Sequence, residues 1–300
     1  MSNKETGVNP SVLPFTGERY VPKLGGSIEL EHLHRYLTAK QVVAGKAVLD
    51  IACGEGYGSA ILAQLADKVT GVDISAEAVS HARTKYRSSN LEFLAGSCAA
   101  IPLADASIDV VVSFETIEHH DQHEEMMREI KRVLRPGGAL IISCPDKLEY
   151  SERPGYSNPY HVKELYRDEF VRLLSSHFRN HYIYGQRVAY GSLIFSEKCE
   201  TGVGGYQLSD DALSFTLGVP HAVYLLAVAS DAEPPRLNSG LLEQSISEAE
   251  LVNTLKGQVA GLSEILNGIY SSSSWKLSRP LRFFERLFRE PRSLLARIIK

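Results

Sequence analysis

From Ala47 to Ser143, short apolar runs alternate with amphipathic stretches about every 20 residues, the pattern of strands laid side by side and joined by helices. The runs Val48–Ile51, Lys68–Asp73, Leu91–Leu94, Ser107–Ser113 and Ala139–Ser143 read as five strands of a doubly wound parallel α/β sheet. A helix over Asp168–Leu174 and strands over Tyr182–Gly185 and Ala222–Val228 bring the sheet to seven strands, while a glycine-bearing insertion at 190–220 has no assigned place. Ahead of the sheet, Ile28–Tyr36 reads as a helix. His32, His34 and Arg35, with Tyr20 before them, are candidates to line a cleft under this helix; a solvated helix face with Leu30, Leu33 and Leu37 turned inward is the plainer alternative. Past a linker at 231–240, Val252, Leu255, Val259, Leu262, Leu266 and Ile269 recur at spacings of three and four, the seam of a short coiled coil through which two copies would associate. Gly257, Gly261 and Gly268 weaken that helix, and packing on its own domain is the alternative. The chain thus divides into an N-terminal arm and helix (1–44), an α/β domain (45–235), a short coiled coil (241–270) and an amphipathic tail (275–300).

Composition changes this picture only at the ends. With 44% hydrophobic and 23% charged residues, the 300-residue chain is ordinary for a soluble globular protein. No leader or membrane-length apolar run appears, so a cytoplasmic location is expected. Cys53, Cys98, Cys144 and Cys199 are widely spaced without a CxxC pair, which suits reduced, packed thiols rather than a disulfide frame or zinc site. The net charge of −4 conceals a split: residues 276–300 carry +6 and the first 275 carry −10. An acidic body gives no expectation of nucleic-acid binding. The basic tail, with Trp275, Leu281, Phe284, Leu287 and Phe288, suits the headgroup region of an anionic membrane, hence a peripheral position on the inner face of the inner membrane. A protein partner or a solvated tail are the alternatives.

Candidate chemistry concentrates where the first strand runs into Ala52-Cys53-Gly54-Glu55-Gly56-Tyr57-Gly58. Such a turn brings bare backbone N–H groups against a ligand at the carboxyl edge of a parallel sheet. Asp73 closes the next strand, 23 residues after Asp50. A dinucleotide fingerprint would place its third glycine at 59, where Ser stands; the glycine is at 58. Asp50 and Glu55 would repel a pyrophosphate and attract a cation, which favours a positively charged nucleoside. An ordinary strand-to-helix corner remains the bland alternative.

In Asp50-x-x-Cys53-Gly54-Glu55-Gly56, Asp73, Gly96–Ala99, Ser107–Glu115 and Leu134–Gly138, taken in that order, the chain resembles class I S-adenosylmethionine-dependent methyltransferases. The resemblance implies a Rossmann-like sheet of six parallel strands and one antiparallel, here followed by a C-terminal helical extension, and S-adenosyl-L-methionine as cofactor. Asp50 and Ala52 to Gly56 would wrap the methionine part, and Asp73 with Ile74 the ribose. Ser97, Cys98 and Ala99 stand where relatives often carry an Asp for the adenine amine. The segments Phe15–Pro22 and Ser272–Arg282 resemble parts of enzymes from bacterial surface-polysaccharide clusters. That likeness implies a sugar hydroxyl of an O-antigen-like polysaccharide as methyl acceptor and glycosyltransferases as partners. A small lipid-soluble or secondary metabolite is the alternative acceptor, and a non-catalytic adaptor the alternative role.

An alcohol acceptor needs a general base within hydrogen-bond reach. The stretch Phe114–Asp121, which in the family borders the transferred methyl, offers His119 first and His120 second, with Glu115 as a cofactor or orienting residue. His161 is the distant candidate, in a loop at 145–165 whose Tyr150, Tyr156 and Tyr160 suit the C–H faces of a sugar. A Mg²⁺-assisted version through Glu115, Glu118 and a histidine has no spacing signature, and no metal is expected.

Overall fold

The computed structural model describes residues 26–189, 204–209, 212–245 and 249–282. Phe15–Pro22 with Tyr20, Cys199, the tail from Phe283 onward and part of the 190–220 insertion lie outside the described residues. The chain falls into two compact units divided between Leu242 and Glu243.

In the first unit, helix α1 (Ser27–Ala39) precedes β1 (Ala47–Ile51), α2 (Tyr57–Leu62), β2 (Lys68–Asp73), α3 (Ala76–Lys85), β3 (Leu91–Ala95) and β4 (Ile108–Ser113). Then come α4 (His123–Val133), β5 (Leu134–Pro145), α5 (Arg167–His177), β6 (Asn180–Gln186), a hairpin of β7 (Gly204–Ser209) and β8 (Ala212–Leu217), and β9 (Tyr224–Ser230). The main sheet runs β3-β2-β1-β4-β5-β9-β6. Strand β9 is antiparallel to both neighbours, and the other six strands share one direction, as the sequence led us to expect. Hairpin β7–β8 forms a separate two-stranded sheet and occupies part of the insertion that periodicity could not place.

Side chains alternate across each strand, so each strand feeds two cores. Leu49, Ile51, Val111, Leu140 and Ile142 pack with Met126, Met127 and Ile130 of α4 and Phe170 and Leu174 of α5. Val48, Val110, Val112 and Ile141 face the other way, with Tyr36 and Ala39 of α1 and Leu62 of α2. Strand order reverses between β1 and β4, and a ligand crevice opens at the carboxyl ends of strands at such a switch point.

The second unit contains α6 (Glu250–Ser271) and a short α7 (Ser273–Leu277) whose first turn is capped by Ser272, which accepts from the Trp275 N–H. Leu255, Val259, Leu262, Ile265, Leu266 and Ile269 of α6 are all exposed. No helix among the described residues is long and apolar enough to cross a membrane.

Candidate active site

A cleft of about 320 Å³ opens at the switch point, walled by the ends of β1, β2 and β4 and covered by α1. From the glycine turn, Ala52, Cys53 and Gly54 line it; Asp73 and Ile74 come from the end of β2, Ser97 and Cys98 from the loop after β3, and Glu115, His119 and His120 from the exit of β4. Ala52 and Glu115 hold left-handed backbone at φ 56° and 50°, although neither is glycine. Strain of that kind collects where a site over-determines the chain. Asp73 fixes the two lips of the cleft: its Oδ2 accepts from the Gly54 N–H and its Oδ1 from the Ser75 N–H, each at 2.8 Å. Ser75 in turn caps α3 by accepting from the Ala78 N–H. Gly56 adopts φ 92°, and a Cβ there would lie 2.7 Å from the Phe93 ring, so the turn admits no side chain at this point.

Several expected cofactor residues stand behind this wall rather than in it. Asp50 is fully buried and shares the strand face of Val48, so it points under α1 and α2, where Tyr36 and Ser59 donate to it at 3.2 and 2.6 Å. Burial outweighs those hydrogen bonds and pushes its carboxyl up to about 7. Glu55 also turns inward: Lys85 donates to both its oxygens at 2.7 and 2.9 Å, with Tyr86 at 3.0 Å and the His81 ring at 3.2 Å. Its charge ties α3 to the glycine turn and is matched by Lys85, which corrects the expectation that it faces a cationic ligand. Ala99 is bonded through its N–H to Ser97 and lies outside the cleft lining. Gly56 shapes the turn from outside the lining as well.

Helix α1 lends the cleft His32 and Tyr36, neighbours at i and i+4. Burial, with Arg35 adding to it, pushes the His32 imidazole well below its usual range, so it is neutral. Arg35, itself buried, reaches beneath to Glu115 at 3.2 Å and stacks over the Tyr224 ring at 4.7 Å. Ser143 donates to the same Glu115 oxygen at 2.6 Å and accepts from the Glu115 N–H at 3.2 Å. Phe114, Thr116 and Gln122 join the lining without having been singled out in the sequence.

The three candidate histidines differ in what their nitrogens have left to offer. His120 Nδ1 accepts from the Gln122 N–H at 3.1 Å, and Nε2 sits 3.4 Å from the Cys98 sulfur. With its one lone pair engaged, and burial lowering its pKa, His120 is a poor base. His119 instead pairs Nδ1 with the Tyr160 carbonyl at 3.2 Å, so that nitrogen carries the proton and Nε2 keeps its lone pair, 4.0 Å from Glu118 Oε1. His161 lies off the cleft lining, but its ring meets that of His119 edge-on at 5.1 Å and stacks with Tyr150 at 5.2 Å. Its Nδ1 pairs with Glu164 Oε1 at 2.6 Å. Glu118 is buried among these groups, and burial, with Glu115 nearby, holds its carboxyl well above the usual carboxylate range. Its backbone carbonyl accepts from the N–H groups of Val162 and Lys163, which pins the 145–165 loop against the β4 exit. Asn158 and Glu164, which orient His161, carried no sequence signal.

Comparison with known proteins agrees with this geometry. Residues 49–142 match a family described as a methyltransferase domain. A Mycolicibacterium smegmatis protein described as a probable S-adenosylmethionine-dependent methyltransferase is 39% identical over 172 residues, 56% of this chain and 65% of its own length. A fatty-acid O-methyltransferase of the same organism is 32% identical over 152 residues, 50% of this chain and 51% of its own. A phthiotriol/phenolphthiotriol dimycocerosates methyltransferase of Mycobacterium tuberculosis is 33% identical over 111 residues, 36% of this chain and 41% of its own. The chain therefore spans less than two thirds of the length of each of these relatives.

Proposed function

We propose that this chain is a class I S-adenosylmethionine-dependent methyltransferase that transfers a methyl group to a sugar hydroxyl in cell-surface polysaccharide assembly. The cofactor supplies an electrophilic methyl on a sulfonium; the chain's own residues must hold it, align the acceptor oxygen, exclude water and dispose of the hydroxyl proton. The cleft fits that cofactor: a glycine turn open to an extended ligand, and a carboxylate, Asp73, at the end of β2 for ribose hydroxyls and facing a cationic body. Asp73 keeps further lone pairs beyond its two backbone bonds.

The observation that carries oxygen as the acceptor atom is His119. It stands on the cleft wall with Nδ1 tied to a carbonyl and Nε2 open, beside the buried carboxyl of Glu118. A proton leaving an acceptor hydroxyl passes to this corner. Tyr150, Tyr156 and Tyr160 surround the corner, and the last two are exposed, which suits the stacking of sugar C–H faces. The likeness to a fatty-acid O-methyltransferase favours a second acceptor, a hydroxyl or carboxyl on a lipid.

Labelled methyl donor incubated with a polysaccharide precursor and, separately, with lipid extract distinguishes the two by mass spectrometry: label in the sugar supports the first reading, and label confined to lipid replaces it. His119→Ala should bind the cofactor within about threefold of wild type while turnover falls roughly 10²–10⁴-fold. Near-normal turnover of that variant removes His119 from the chemistry.

A further inference from the structure

The corner beside the cleft is assembled like a metal site. One ligand atom from each of Glu118, His119 and His161 lies within 4.8 Å of the other two. Glu118 is 1% exposed, and its Oε2 meets no hydrogen-bond partner, a costly state for a buried carboxyl oxygen unless something else occupies it. Both imidazoles are oriented from behind: His119 Nδ1 faces the Tyr160 carbonyl and His161 Nδ1 faces Glu164. Histidine ligands are set in this way, the far nitrogen donating to a carbonyl or carboxylate while the near one keeps its lone pair. Ligand atoms around an ion at roughly 2.1 Å stand about 3–4 Å apart, so modest side-chain rotations close the set. His161 Nε2 now shares the Asn158 amide at 3.0 Å, a contact the ion displaces. Two neutral imidazoles and one carboxylate suit first-row transition ions better than Mg²⁺ or Ca²⁺, which prefer all-oxygen shells.

We propose that Glu118, His119 and His161 bind one divalent transition-metal cation at the cleft wall, which reverses the expectation of a metal-free site. Of the three, His119 lines the cleft, so an ion held by the set would stand at the cleft wall. The use of the ion rests on the O-methyl transfer reading and takes over the part given there to the open Nε2 of His119, which the ion would occupy. An acceptor hydroxyl on the ion loses its proton to solvent more readily. Its oxygen then forms the new C–O bond as the donor C–S bond breaks, and that electron pair leaves on sulfur.

The test is titration of the chelator-stripped full chain with CoCl₂, followed by visible absorption and calorimetry. One Co²⁺ per chain is expected, with ligand-field bands of nitrogen and oxygen coordination and displacement by Zn²⁺. His161→Ala and Glu118→Gln should each weaken binding by at least about 100-fold, and Glu164→Ala by about 10–100-fold through loss of orientation. His221→Ala, outside the ligand set, should bind as wild type. Absence of a saturable signal in the unmutated chain overturns the site, whatever the variants do; so does equal affinity in folded His161→Ala. Methyl transfer is followed on the same stripped sample. Transfer undiminished by stripping overturns the role of the ion and leaves the O-methyl reading standing. Stoichiometric Co²⁺ binding without transfer to any acceptor supports the site and removes that reading.

Discussion

Asp50 shows how one residue's chemistry depends on which face of its strand it takes. Unfolded, its carboxyl titrates near 3.8; folded, near 7, because burial disfavours the charge. Between those values the folded chain holds a proton that the unfolded chain has lost, so the contribution of this group to stability is fullest below about pH 4 and is lost as pH rises through 7. Glu31, raised to about 7 chiefly by burial, has the same sign. Asp50→Asn removes the charge and keeps the shape, so its melting temperature relative to wild type should be higher at pH 8 than at pH 5. A shift of this size corresponds to a few kcal/mol at most. An equal difference at both pH values would mean that Asp50 is ionised in the fold throughout. Asp50 and Glu55 also mark the limit of what was legible at this scale. The spacing of acids around a glycine turn is visible in sequence, but which of them face the ligand depends on strand parity and on Lys85, 30 residues away. Asp73 was legible because it ends its strand, where parity no longer hides a side chain.

At the scale of elements, the sheet was legible and its attachments were not. Short continuous apolar runs locate the strands because those at the centre of the sheet are buried on both faces, and β1 to β4 end at residues that line the cleft or stand next to ones that do. The grip of α1 on the cleft depends instead on contacts between distant parts of the chain, such as Arg35 with Glu115 and Tyr36 with Asp50, for which no local pattern exists. Gly58 holds the contact between α1 and α2. A Cβ at this position would lie 2.0 Å from the Tyr36 ring, which is fixed between Tyr57 and Phe114 by edge-on contacts at 5.3 and 5.0 Å. Gly58→Ala should therefore cost about 1–3 kcal/mol, seen as a melting temperature lower by several degrees, with weaker cofactor binding as Tyr36 shifts. Gly257→Ala meets nothing within 4 Å and should leave the first unit unchanged while favouring α6 by up to about 1 kcal/mol. An unchanged melting temperature in Gly58→Ala would mean that the Tyr36 ring moves freely.

For the whole molecule, α6 is the element least explained by the chain itself. Its 22 residues extend about 33 Å, and it presents Leu255, Val259, Leu262, Leu266 and Ile269 to solvent at 45–62% exposure. An isolated helix with three glycines is marginal in water, and an exposed apolar row of spacing three and four gains most by packing against another like it. We propose self-association through α6: the full chain should sediment as a dimer or higher species at micromolar concentration. A chain ending at Leu242 should sediment as a monomer and still bind the cofactor, since the cleft is built entirely from residues before that point. Leu262→Glu, which places a charge in the middle of the row, should return the full chain to monomer without changing cofactor affinity. A monomeric full chain would refute the association, because the row would then remain exposed with nothing of this protein to cover it. A dimer that persists in both the shortened chain and Leu262→Glu would place the interface on the first unit instead.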